Sequence, residues 1–429
     1  MDKTPQKRLQ WVRLDNAAKI YPAARRRNWS NVFRQSVTLG EPVDTQVLQQ
    51  ALEVTVQRFP TIAARLRKGL FWYYLHQVKQ APALSPEYSY PLVYMSREEM
   101  GRCALRVIAY GNRIAVEFFH SLTDGTGALI FLKSLTAEYL ERKYGITVPP
   151  RFGVLDRNQP PRPEEMEDSF PKYAGKVPAS RKDTDAWRMG GRLEPDGFLH
   201  LTCFQLPVEQ ALSLAHQHNC SLTVFLSAVM MQALMDLQRQ KERSWRKRKG
   251  IKLLIPVNLR RIFPSETLRN FALYITPELD PRLGQYSFQE ICDLIRHKMG
   301  LELTPKYMSS MIATNVNDEQ NPLVRAIPLP VKNMVMKAIF NSVGERKSCL
   351  TLSNLGQVQL PEEMKPYVRR FDFILGVQAS APSNCGVLSY EDTVYVNFIR
   401  NICEPELERH FFRILRDMGL PVTVESNGK

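Results

Sequence analysis

One histidine in this 429-residue chain stands where proton chemistry is to be expected: His120, followed by Ser121, Leu122, Thr123, Asp124 and Gly125. An imidazole titrates near neutral pH and can take or give a proton under ordinary conditions. The aspartate four residues on can bond the amides of a turn or cap a helix. The glycine after it can adopt left-handed backbone angles that bulkier residues avoid. Other chemistries find no comparable pattern. There is no G-x-S-x-G elbow for a serine hydrolase, no P-loop and no G-x-G-x-x-G. The seven cysteines, Cys103 to Cys403, contain no C-x-x-C pair and are odd in number, which points to reduced thiols rather than a disulfide framework or a zinc site. His216, His218 and Cys220 are the only dense group of potential metal ligands, and they read as a polar turn before a helix; no metal is expected.

The elements around His120 must hold it at a strand end. Arg113 to Phe118 is a β-favouring run, and Leu129, Leu132, Leu135, Tyr139 and Leu140 recur on one helical face before a stop at Gly145. Upstream, Val43 to Phe59 has a helical pattern, while Phe71–Leu75 and Leu105–Ala109 read as strands. From Pro149 to about Pro178 prolines and charges dominate, so this stretch reads as a surface connection or crossover and not as a core element. Alternation then resumes. Phe198–Leu206 is a strand, 208–217 and Ser221–Leu237 are helices, Ile251–Val257 is a strand, and Glu404–Met418 is a final helix. Periodicity alone gives an α/β protein in two lobes.

The composition, 44% hydrophobic and 10% aromatic, allows a substantial core. No apolar run is long enough to cross a bilayer, and Met1 to Arg8 lead into polar sequence without an apolar leader; a cytoplasmic monomer is expected. The net charge of +15 includes clusters at Arg25–Arg27 and Lys241–Lys249. It suits solvated surface, an anionic small molecule, or acidic lipid headgroups. No nucleic-acid recognition pattern accompanies it, so nucleic acid is not expected.

The stretch from His120 to Gly125 resembles the HxxxDG signature of the condensation-domain and chloramphenicol-acetyltransferase-like acyltransferases. The full signature often begins HHxxxDG, and here Phe119 takes the first position. Further segments carry the resemblance along most of the chain. Leu14 to Ile20 and Arg58-Phe59-Pro60-Thr61 look like the opening of alcohol acetyltransferase-like members. Ile255 to Arg261 followed by Arg269-Asn270-Phe271 resembles the P-V-x-L-R … G-N-F segment, with Arg269 where glycine is usual. Ser353-Asn354-Leu355-Gly356 resembles the S-N-L-G turn, and by itself is ordinary turn material.

The resemblance implies two chloramphenicol-acetyltransferase-like α/β-sandwich halves with an active-site tunnel between them: residues 1–150 carrying HxxxDG, a Pro-rich linker at 151–196, and a second half at 197–429. It implies acyl transfer, with acetyl the first choice of acyl group, from a coenzyme A thioester to a hydroxyl-bearing acceptor, with His120 as general base and no permanently bound cofactor. Asp124 is implied to be structural, paired with Arg260 or, as second choice, Arg261. Ser353 or Asn354 is implied to donate to the tetrahedral intermediate. The donor is expected to enter at a tunnel mouth lined by basic side chains. Two other readings stay open: a condensation-type enzyme acting on carrier-protein-bound substrates, and a non-catalytic member that binds an acyl group or a partner.

Overall fold

The computed structural model describes residues 11–24, 31–179, 184–339, 346–378 and 381–428; the Arg25–Arg27 cluster lies outside them. Strand β1 (Trp11–Arg13) and helix α1 (Ile20–Ala24) precede β2 (Val32–Leu39), α2 (Thr45–Arg58), the hairpin β3 (Ala64–Lys68) and β4 (Tyr73–Gln77), α3 (Arg97–Arg102), β5 (Leu105–Tyr110), β6 (Arg113–Phe119) and α4 (Gly125–Tyr144). Two short helices follow, α5 (Pro163–Met166) and α6 (Phe170–Tyr173). Then come β7 (His200–Pro207), α7 (Val208–Gln217), α8 (Leu222–Lys241), β8 (Ile251–Asn258), β9 (Ala272–Ile275) and β10 (Glu278–Leu279). Four helices, α9 (Phe288–Glu302), α10 (Pro305–Gln320), α11 (Pro322–Ala326) and α12 (Leu329–Ile339), lead to β11 (Leu350–Val358), β12 (Val368–Ile374), β13 (Ser383–Tyr390), β14 (Thr393–Arg400), α13 (Glu406–Asp417) and β15 (Thr423–Ser426).

Local chemistry sets the helix ends. The Asp44 carboxylate accepts from the amides of Gln46 and Val47 to start α2, as an N-cap should. Gly145, at φ 67°, closes α4 in the left-handed region. The strand expected at Phe71–Leu75 lies two residues later, because residues 69–72 form the hairpin turn, where the Gly69 amide bonds the Trp72 carbonyl.

The strands form three sheets. One, in the order β12-β2-β6-β5, carries His120 just past the end of β6; a larger sheet runs β10-β8-β11-β13-β14-β7-β15, with β9 paired to β8; β1, β4 and β3 form a small third sheet. Sheet membership cuts across the chain order: β12 pairs antiparallel with β2, Val37 opposite Phe371. The same β12 presses on β13, where a Cβ on Gly386 would lie 2.2 Å from the Phe373 carbonyl oxygen. One core packs α2 and α4 onto the four-stranded sheet, around Phe59, Phe118, Phe119 and Phe131. A second packs α8, α9 and α13 around Phe204, Phe225, Phe398 and Phe411. Each such side chain contributes about 1.5–3 kcal/mol on burial.

The stretch expected as a surface connection enters this interior. Phe170 is fully buried. Glu165 makes a two-pronged buried pair with Arg58, at 2.5 and 2.7 Å. Proline and charge density hid these anchors, because a few buried residues suffice to bind an irregular segment to a core.

Candidate active site

The His120 amide donates to the Asn31 carbonyl at 2.8 Å, which fixes the backbone as it leaves β6. The imidazole stacks on Tyr21 of α1, with centroids 4.4 Å apart and planes 17° apart. It meets Phe33 of β2 at 4.9 Å. Its Nδ1 lies 3.2 Å from Asn270 Oδ1. The Asn270 amide nitrogen is already committed, donating to the His120 carbonyl at 3.0 Å and to Asp15 Oδ2 at 3.2 Å, so its oxygen faces the ring. An amide oxygen accepts only, so Nδ1 carries the proton and Nε2 keeps its lone pair. Burial in this aromatic slot lowers the His120 pKa below the ordinary value; its own carbonyl, Asp124, Asn270 and Asp15 pull it partly back. The lowered pKa favours the neutral ring at pH 7.

Asp124 turns away from that ring. Its Oδ1 accepts from the amides of Thr126 and Gly127, both at 3.1 Å, and so caps α4. Its Oδ2 accepts from Arg260 Nη1 at 2.7 Å and from the Phe271 amide at 2.8 Å. Arg260 also donates to the carbonyls of Thr267 and Arg269, at 2.8 and 2.5 Å. Thr123 Oγ1 donates to the Leu268 carbonyl at 2.6 Å. The loop after His120 is thus fastened to residues 258–271 through one carboxylate, one guanidinium and one hydroxyl. Arg261 lies elsewhere, with its guanidinium 3.3 Å from the position of a Cβ on Gly356.

Gly125 does not use the left-handed freedom expected of it. It is the first residue of α4 and has no positive φ. Space is what constrains it, since a Cβ there would sit 2.7 Å from a methyl of Leu355. Its carbonyl accepts from Gln35 Nε2 at 2.8 Å. Gly127 is tighter still: its Cβ would lie 2.2 Å from Thr123 Oγ1 and 2.3 Å from the Leu268 carbonyl. A side chain at that point would force α4 off the 258–271 segment.

Ser353 to Gly356 form no turn. They lie within β11, where a register shift between Asn354 and Gln357 marks a bulge, and Gly356 takes φ 81°. Pairing with β13 at Ser353, Asn354 and Gln357 overrides the turn preference of Ser-Asn-Leu-Gly. Asn354 faces α8, donating to Thr223 Oγ1 at 3.0 Å, and its oxygen takes the Gly356 amide at 2.8 Å. Both ends of its amide are in use. Leu355 points the other way, onto Gly125.

Three residues join this site that sequence reasoning gave no role: Asn270, Asp15 and Tyr21. Asn270 and Asp15 each sat inside a quoted segment, but nothing in a linear sequence shows that positions 15, 120 and 270 converge. Asp15 is completely buried and burial raises its pKa, against the pull of Arg269. Arg269, in the usual glycine position, is buried with its Nε 3.7 Å from Asp15 Oδ2 and donates to the carbonyls of Met166 and Arg13. Phe119, in the place of a first histidine, is a fully buried core residue. Cavities of about 540 Å³ by His216, Cys220 and Arg296 and about 520 Å³ by Arg65, Lys79 and Arg102 lie away from His120.

This mixed α/β arrangement is the fold of the condensation-domain and chloramphenicol-acetyltransferase-like proteins. Among solved structures, the chain is similar to TRI101 of F. sporotrichioides complexed with coenzyme A and T-2, at 11% identity and TM-score 0.60, over 98% of this chain and 100% of that one. It is similar to polyketide synthase associated protein 5 from Mycobacterium tuberculosis, at 13% identity and TM-score 0.58, over 94% and 96%. It is also similar to the first condensation domain of the calcium-dependent antibiotic synthetase, at 14% identity and TM-score 0.58, over 96% and 99%. No protein-family model matches the chain, and no curated protein matches it.

Proposed function

We propose that this protein transfers an acyl group, acetyl in the simplest case, from a coenzyme A thioester to a hydroxyl acceptor. The observation that carries the proposal is the Asn270–His120 contact, which leaves Nε2 of a neutral imidazole as the base. Nε2 takes the acceptor's proton as its oxygen attacks the thioester carbonyl. The tetrahedral intermediate collapses, the C–S bond breaks, and the imidazolium returns its proton to the leaving thiolate. General-base help of this kind is worth about 10²–10⁴-fold; holding both substrates in one tunnel between the halves supplies further rate. Ser353 is the better of the two expected oxyanion donors, because the Asn354 amide is spent on Thr223 and Gly356. Asp124 and Arg260 serve as positioning residues.

Coenzyme A as donor and a hydroxyl acceptor are supported by the fold shared with TRI101, whose structure holds coenzyme A and T-2. The test is release of free thiol from acetyl-coenzyme A in the presence of a panel of alcohols, with the product identified by mass. Acceptor-dependent thiol release supports the proposal. Thiol release only from an acylated carrier protein favours the condensation-type reaction. No release from either donor leaves a binding role.

A further inference from the structure

Helix α12 and the tip of the β3–β4 hairpin meet. The Leu329 amide donates to the Leu70 carbonyl at 3.0 Å, and Lys332 Nζ donates to the Phe71 carbonyl at 3.1 Å. Lys332 is almost fully buried, with its ammonium 3.5 Å from the centre of the Trp72 ring, and Asn333 Nδ2 donates to the Tyr73 hydroxyl at 3.1 Å. The joint is well fastened, yet what it shows to solvent is apolar. Leu70 is 73% exposed and Met334 68%, with Val331, Val335 and Phe71 each above 40%. Singly exposed apolar side chains are ordinary; a group gathered where two elements are fastened together is not.

The segments that build this patch carry charge of one sign, and the Glu319 carboxylate beside them is engaged by Lys19, whose ammonium lies over the Trp72 ring. Residues 54–86 contain no Asp or Glu, and neither do residues 321–339. Arg67, Lys68, Arg325 and Lys337 are exposed, and no carboxylate pairs with them among the described residues. Eleven residues make α12 far too short to cross a bilayer. A short helix with apolar side chains outward and a cationic rim suits a helix lying in a bilayer interface instead. A cationic rim also opposes pairing with a second copy of itself.

We propose that α12 and the β3–β4 tip form a docking surface for an anionic lipid bilayer. Leu70, Met334 and their neighbours enter the headgroup region while Arg67, Lys68, Arg325 and Lys337 meet the acidic headgroups. The surface abuts α1, which packs against α12 and carries Tyr21 onto His120, so docking sets the candidate active site beside the membrane.

The experiment is flotation of the full chain with phosphatidylcholine vesicles, with and without phosphatidylserine, at low and high salt. Wild type is expected to float only with phosphatidylserine, and less as salt rises. The Leu70→Asp/Met334→Asp variant should bind at least about tenfold more weakly, while Leu301→Asp, at another exposed apolar site, should bind as wild type does. Should the double variant fail to fold by circular dichroism, Lys68→Glu/Lys337→Glu is read in its place with the same expected loss. Failure of wild type to bind phosphatidylserine vesicles overturns the proposal. So does wild-type binding by the patch variants, which would leave only the diffuse net charge, or a dimer in sedimentation that the patch variant dissociates.

Discussion

Replacing Asp124 by alanine removes four bonds from one carboxylate. The ion pair to Arg260 is 2.7 Å long with side chains only 11% and 7% exposed, and breaking so buried a pair costs about 3–5 kcal/mol, because the guanidinium keeps its desolvation penalty. The two helix-capping bonds to Thr126 and Gly127 are together worth about 1 kcal/mol. The Phe271 amide, buried and left without an acceptor, adds to the loss. These terms overlap, and we expect Asp124→Ala to lower stability by about 4 kcal/mol, a large share of the roughly 5–15 kcal/mol of an ordinary domain. Asp124→Asn keeps an oxygen for the cap and should lose about 2–3 kcal/mol. Removing both charges in Asp124→Ala/Arg260→Met should cost less than the sum of the two single changes by at least about 1 kcal/mol. Urea denaturation of wild type, the three single variants (Asp124→Ala, Asp124→Asn and Arg260→Met) and the double variant, read by midpoint at constant slope, measures all three effects. An Asp124→Ala variant within about 1 kcal/mol of wild type would refute the view that this carboxylate holds the His120 loop to residues 258–271.

Two further predictions use the same loop. Gly127→Ala should destabilise by about 3 kcal/mol or more, since its Cβ meets the backbone carbonyl of Leu268, whereas Gly125→Ala should lose no more than about 1.5 kcal/mol, because the Leu355 methyl it meets can turn aside; equal losses by thermal unfolding would contradict the packing described. The acid limb of kcat/KM should lie below the ordinary histidine value of about 6.5, because burial lowers the His120 pKa and activity fails as pH falls through it. Asn270→Ala removes a bond that raises this pKa, so its acid limb should move further down while the plateau rate falls about fivefold, the worth of roughly 1 kcal/mol. An unchanged pH profile in that variant would remove Asn270 from the mechanism.

Much of this fold was legible because its signals are local. The helix at 208–217, the strand before His120 and the helical pattern over Val43–Phe59, which the structure holds as Thr45–Arg58, follow from apolar spacing. The Asp124 pairing was legible only through resemblance, since nothing in spacing joins residues 124 and 260. What escaped notice depends on contacts distant in sequence. Ser353 to Gly356 have turn chemistry, but pairing with the distant β13 holds them in a strand. β12 lies more than 200 residues beyond β6 in the chain, yet it completes the sheet that carries β6. Asn270 and Asp15 became site residues only when the chain brought positions 15, 120 and 270 together.

Acyl transfer by His120 is tested most directly by the turnover of His120→Ala with acetyl-coenzyme A and an accepting alcohol. Wild type should release thiol only when the alcohol is present. His120→Ala should lower kcat by at least about 10²-fold while the fold and the affinity for coenzyme A persist. Turnover in His120→Ala close to that of wild type would contradict general-base catalysis by this residue.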